Sequence, residues 1–246
     1  MIVRLRGWVP IAALLLASAP AIAGPPFVTD DPEPTDTGHW ENYGFVAGTH
    51  FPGETDGEAG LDINYGAAHD LQLTVGVPLE YEHRRGTHVG FGDLELGAKY
   101  RFLYQSEGSL LPDVAFFPSL SVPTATRGFG GGRVSAFLPL WAQKDFGKWS
   151  LFGGGGYTIN PGRDARNFWL EGIALSRAIT DAVSLGAEIY HQGRDSVDET
   201  AITGINVGGA YRFAKHWSLL GSAGPGLEHP RRSGRYSFYM ALKADY

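Results

Sequence analysis

The 246-residue chain contains no cysteine, which excludes disulfide staples and thiolate chemistry alike. Past residue 23 it also lacks any apolar run near the roughly 18 to 20 residues that a membrane-crossing helix requires. Any bilayer crossing must therefore use strands of about 9 to 11 residues. The motifs of common hydrolases and nucleotide binders are missing: there is no G-x-S-x-G elbow, no H-E-x-x-H and no phosphate-binding Gly-Lys motif. The glycine run GFGGGR at 128–133 lacks the strand-to-helix setting of a nucleotide loop, and Asp30, Asp31 and Glu33 lack the spacing of a calcium loop. No catalytic residue, metal ligand or cofactor is expected on these grounds. Lysine is scarce, with five residues against fifteen arginines, and the net charge of −6 becomes −8 once Arg4 and Arg6 are set aside with the leader below. That balance argues against a general nucleic-acid binder.

What is present begins with a leader. Arg4 and Arg6, the apolar run from Ile11 to Leu16 and the small-x-small pattern Ala21-Ile22-Ala23 before Gly24 read as a secretory signal peptide, cleaved near Ala23. Residues 1–23 are therefore set outside the fold. The remainder has the length of one all-β domain or one barrel.

Its dominant pattern is alternation at a period of two. In the predicted fourth strand Leu94, Leu96, Ala98, Tyr100 and Phe102 fall on one side, with Asp93, Glu95, Lys99 and Arg101 on the other. Twelve such segments are predicted, near 40–51, 58–68, 71–82, 89–103, 112–123, 133–143, 149–159, 167–178, 182–192, 201–213, 217–227 and 236–246. An even number leaves both termini on one side, as in bacterial outer-membrane barrels. Ten of the fifteen arginines lie in five longer Gly-rich connections: Glu82 to His88, Thr124 to Arg133, Asn160 to Asn167, Gln192 to Ala201 and Glu228 to Arg235. The intervening turns are short and flanked by Phe102, Tyr104, Phe146, Trp149, Phe213, Trp217 and Tyr246, as an interfacial girdle requires. The expected fold is thus all-β: a closed antiparallel transmembrane barrel over 40–246, with short periplasmic turns and longer outer loops in an outer membrane. A soluble β-sandwich is the competing fold, since its strands alternate too.

Two features complicate this picture. Pro78, Pro118, Pro123, Pro139 and Pro225 fall inside predicted strands, where each removes a ladder donor, so they are expected at bulges or strand ends. Residues 24–39, holding Pro25, Pro26, Pro32 and Pro34 with Asp30, Asp31, Glu33 and Asp36, should be extended. This stretch either hangs in the periplasm as a leader or folds into the lumen as a plug. Solvation of acidic Pro-rich tracts favours the leader.

The segments GPPFVTDDPEPTDTGHWENY (24–43), GFGDLELGAKYRF (90–102) and PSLSVPT (118–124) resemble a bacterial outer-membrane family named for a MetA pathway of phenol degradation, whose members are also labelled transporter. The resemblance spans essentially the whole mature chain. It implies an outer-membrane barrel that passes small molecules, aromatic or apolar ones among them. The final amphipathic strand ending in Tyr246 similarly resembles the signal read by the barrel-assembly machinery, although Phe is the usual last residue there.

The expected function is passive diffusion of small-molecule solutes through a lumen lined by Asp62, Glu80, Asp93, Glu95, Lys99, Arg101, Glu171, Glu188, Arg212 and Lys243. These side chains could instead pair and fill the lumen. The outer arginines suggest contacts with outer-membrane lipids, with Arg84, Arg85, Arg231 and Arg232 clamping lipopolysaccharide phosphates. The alternative from another class is a non-conducting surface barrel binding lipopolysaccharide or a partner through its loops. A barrel hydrolase is weaker still, because no serine is placed beside His50 or His191.

Overall fold

The computed structural model describes residues 25–106, 108–162, 164–228 and 234–246. The signal-peptide residues, Arg163, Arg231 and Arg232 lie outside them. The strands are β1 (Trp40–Phe51), β2 (Glu54–Ala68), β3 (Leu71–His83), β4 (Thr87–Phe91), β5 (Leu94–Leu103), β6 (Asp113–Phe116), β7 (Ser119–Val122), β8 (Ser135–Phe146), β9 (Trp149–Ile159), β10 (Phe168–Ala178), β11 (Val183–Gln192), β12 (Ile202–Ala214), β13 (Trp217–Pro225) and β14 (Tyr236–Asp245). Both β4 with β5 and β6 with β7 form one interrupted stave, so the sheet has twelve staves. Each pairs antiparallel with its sequence neighbours, and β1 pairs with β14 from Glu41↔Asp245 to His50↔Tyr236. This closes the barrel and removes the free edges that an open sheet would expose.

The prolines explain the interruptions. Pro78 faces the break between β4 and β5, where its carbonyl accepts from Gly92 N at 3.0 Å and its missing donor leaves no unmet bond. Pro118 occupies the break between β6 and β7, opposite Pro139, whose carbonyl accepts from Phe117 N at 3.2 Å. Pro123 follows β7, and Pro225 ends β13. Two donor-free residues thus share one gap in the ladder. The largest boundary difference from expectation is at β2: residues 54–57 extend the strand instead of forming a loop, because Gly57 carries no Cβ to strike Ala47 O, 2.2 Å from where one would sit.

The outward face carries exposed Leu73, Leu96, Leu175, Leu185, Val207 and Met240. At the short-turn end it carries Phe102, Tyr104, Phe146, Trp149, Phe213, Trp217 and Tyr246, all exposed. Among the described residues the interior holds few buried apolar side chains. A small buried cluster of Tyr43, Ala210, Leu220 and Ala241, with Phe45 and Tyr239 against it, lies on the lumen side. Residues 25–35 run through the barrel interior, and Asp36 to His39, all exposed, lead out to β1.

Candidate functional site

The segment 25–39 crosses the lumen by contacts with widely separated staves. Pro26 O accepts from Ser222 Oγ on β13, and the Phe27 ring sits 6.2 Å from that of Phe152 on β9. On β11, Glu188 receives Val28 N and Thr29 N at 2.9 Å each and Thr29 Oγ1 at 2.8 Å, while Asn206 Nδ2 on β12 donates to it at 2.7 Å. Four donors converge on this carboxylate, which is only 3% exposed, so hydrogen bonds from the segment and from Asn206 replace the water it loses. Lower down, Thr35 N and Oγ1 both donate to Gln72 Oε1 on β3, and Thr37 makes a parallel bridge with Gly66 of β2. Glycine is required at this last contact, because a Cβ on Gly66 would lie 2.0 Å from Asp36 O.

Charge pairing divides the lumen into two kinds of wall. Lys99 Nζ lies 3.1 Å from Asp30 and 3.8 Å from Asp31, so its cation is spent on the segment. Burial pushes the Asp31 carboxyl up to about 7, against the downward pull of Lys99. Lys243 is held by Glu41 at 2.6 Å and Asp245 at 3.3 Å, and Arg101 by Asp70 at 2.8 Å. Burial alone would raise the Asp70 carboxyl, but the Tyr104 hydroxyl and Arg101 outweigh it and hold it below the ordinary carboxylate range. On the adjacent β2, β3 and β5, by contrast, Glu58, Asp62, Glu80 and Glu95 face the lumen, and none has an ion-pair partner among the described residues. The facing wall from β10 to β13 offers mostly neutral groups: Ser176, Tyr190, Asn206, Ser218 and Ser222.

Two cavities remain around the segment. An outer vestibule of about 850 Å³ is floored by Pro26, Phe27 and Val28 and bordered by Glu58, Glu80 and Tyr239. A smaller cavity of about 290 Å³ lies between Asp30 and Asp31 and the acidic wall at Asp62 and Glu95. Both border the same row of carboxylates.

The expected lining residues therefore separate. Asp62, Glu80 and Glu95 face lumen space, whereas Lys99, Glu188 and Lys243 face the lumen but are committed to partners. Three positions are corrected. Glu171 lies on the outward face with Trp169, Ile173 and Leu175, while Ala174 and Ser176 turn inward and are buried. Asp93 is a staple of the β7–β8 loop: the bulge beside Gly92 buries it, and its carboxylate accepts Thr124 N, Ala125 N and Gly131 N. Arg212 sits at the short-turn rim, exposed and donating to Asp181 O at 2.6 Å. Among the loop arginines, Arg84 is engaged by Glu54 and Glu82, and Arg85 is exposed. His50 and His191 pair with cross-strand threonines, Thr55 at 2.8 Å and Thr203 at 2.9 Å. What the sequence hid is the convergence of Glu188, Gln72 and Ser222 on the N-terminal segment. Only the polarity of these residues at inward positions hinted at it.

Comparisons with known proteins place this geometry among bacterial barrels. The chain is similar in structure to the COG4313 outer membrane channel from Pseudomonas putida F1, at 15% identity, TM-score 0.71, and coverage of 88% of this chain and 98% of that one. It is also similar to the KdgM porin in complex with disordered oligogalacturonate, at 11% identity, TM-score 0.59, and coverage of 82% and 98%. The translocator domain of the autotransporter NalP from Neisseria meningitidis follows at 11% identity, TM-score 0.51, and coverage of 85% and 88%. At such identities these likenesses speak to the fold, a closed twelve-stranded barrel of the outer-membrane kind. No curated protein sequence matches the chain. A family model does match, over residues 25–242, and by that match the chain belongs to the family described as "Putative MetA-pathway of phenol degradation".

Proposed function

We propose that the protein is an outer-membrane channel for passive diffusion of small molecules, narrowed by residues 25–39 acting as a lumen plug and favouring neutral or cationic solutes over anions. The observation that carries this reading is the row of Glu58, Asp62, Glu80 and Glu95 bordering the cavities beside the segment, while the nearby Lys99, Arg101 and Lys243 are neutralised by carboxylates of their own. Rings of acidic side chains lining a pore raise local cation concentration and oppose anion entry. Phe27, Phe129, Tyr190 and Tyr239 line the vestibule and offer surface to aromatic or apolar parts of a solute, in keeping with the family's name.

The test is electrical. In planar bilayers with a salt gradient, the mature protein should show a reversal potential of cation-selective sign. The triple variant Glu58→Gln, Asp62→Asn, Glu95→Gln should move it toward the anion side. An unchanged reversal potential in a conducting variant contradicts the assignment of this wall to the permeation path.

A further inference from the structure

The outward face of the barrel carries a polar notch where a lipid-facing wall should be apolar. Register places Glu171, His191 and Thr203 side by side on β10, β11 and β12, with His191 Nδ1 2.9 Å from Thr203 Oγ1. Below them the same face continues as Ile173, Leu175, Ile189, Leu185, Ile205 and Val207. The wall opens here because the neighbouring outward positions on β9 are Gly153 and Gly155. Gly155 faces Glu171 so closely that a Cβ would lie 2.7 Å from its Cα. Charged side chains on a barrel's lipid face are destabilising to a degree that grows with depth in the bilayer, less for carboxylates than for Arg or Lys. Their presence calls for a polar partner in the membrane.

Directly above the notch stand two arginines held in place by backbone. The β9–β10 and β11–β12 loops are joined by the Ala165↔Ser196 bridge and by bonds from Arg166 N to Asp195 O (2.6 Å), Gly193 N to Trp169 O (2.8 Å) and Val197 N to Asp164 O (2.8 Å). This fixes Arg166 and Arg194 over one groove of about 690 Å³, which they line with Asn167, Trp169, Glu171 and His191. Neither arginine has an ion-pair partner among the described residues. Asp195, next to Arg194 in sequence, turns toward the lumen, where Gln192 Nε2 donates to it at 3.2 Å. A second hollow of about 450 Å³, bordered by Glu171, Ile173, Ile189, His191 and Thr203, continues the groove down the wall.

We infer that this groove binds the head group of a phosphorylated, acylated sugar lipid of the outer leaflet. Each part of such a ligand meets matching chemistry. Its phosphate takes the planar forks of Arg166 and Arg194, which bind phosphate bidentately. Its hydroxyl or amide donors meet Glu171, and its acceptors meet Asn167 and the His191–Thr203 pair. The exposed Trp169 ring, tilted against Tyr157 at 5.3 Å, offers a flat surface to a sugar. Acyl chains run down past Ile173 and Ile189. A glycerophospholipid brings the phosphate without the sugar, and free phosphate brings neither sugar nor chains.

The test uses the mature protein refolded in lipopolysaccharide-free detergent and titrated with bis-phosphorylated lipid A, its dephosphorylated form, phosphatidylglycerol and inorganic phosphate. Lipid A should bind best, and Arg166→Gln with Arg194→Gln should weaken it at least about tenfold, since hydrogen bonds to charged groups are worth about 1.5–3 kcal/mol and 1.4 kcal/mol is tenfold. Arg127→Gln, an exposed loop arginine that does not line the groove, should leave binding unchanged. Heat-modifiable gel mobility reports folding. Arg194→Lys is the milder second variant, which keeps the charge and loses the fork, and it should also weaken lipid A. Equal affinity in the wild type and the double variant overturns the site. So does an Arg127→Gln loss as large as that of the double variant, equal binding of phosphatidylglycerol, or full competition by inorganic phosphate.

Discussion

Three of the four hydrogen bonds on the Glu188 carboxylate come from residues 159 or 160 positions earlier in the chain, so docking of the segment depends on single side chains. Asp31 makes that docking sensitive to pH. It faces Lys99 of β5, with Asp30 and Glu33 of its own segment close by. Its docked value of about 7 stands above the ordinary 3.8, so between those limits the docked state holds a proton that the released state gives up. Glu33 is shifted in the same direction, mainly by burial. The contribution to docking is therefore fullest below about pH 4 and is lost as the pH rises through 7. Protease access to the N-terminal segment in the folded barrel should increase from pH 5 to pH 8, and Asp31→Asn should flatten that rise. Access that falls with rising pH would contradict this assignment.

Among the elements, β10 bears directly on the segment because its inward glycine lets Thr29 approach. A Cβ on Gly172 would lie 2.2 Å from Thr29 Oγ1, the hydroxyl that donates to Glu188. Gly172→Ala should displace that hydroxyl and weaken docking by about 1.5–3 kcal/mol, the value of a hydrogen bond to a charged group. It should leave the barrel's heat-modifiable mobility intact. Protease protection of residues 25–39 equal to that of the wild type would refute this role. The same stave shows where sequence reading stopped short. Alternation in the fourth stave placed Glu95, Lys99 and Arg101 inward, because charged and apolar residues there strictly take turns. In Trp169-Leu170-Glu171-Gly172-Ile173 charge alone suggested an inward Glu171, but the apolar Trp169 and Ile173 share its parity and set the face. Asp93 was misread for another reason: the bulge opposite Pro78 breaks the count of two, and no periodic pattern survives a bulge.

At the scale of the whole molecule, twelve staves, their order and the polarity of their ends were legible, because a closed barrel imposes the same period and the same girdle on every stave. The position of residues 25–39 was not. An acidic Pro-rich tract has the same composition whether its donors meet water or a barrel wall, and its partners Gln72, Lys99, Ser222 and Glu188 are far apart in sequence. The segment also completes the electrostatics, since it takes up Lys99 and leaves the carboxylates of β2, β3 and β5 to govern the open space. Single-channel recording of the mature protein beside a variant lacking residues 25–36, with folding of both established by heat-modifiable mobility, tests this account most directly. It predicts a small cation-preferring conductance for the intact chain and a several-fold larger one, still cation-preferring, for the truncated chain. Equal conductances, or a folded truncated barrel that passes no current, would contradict it.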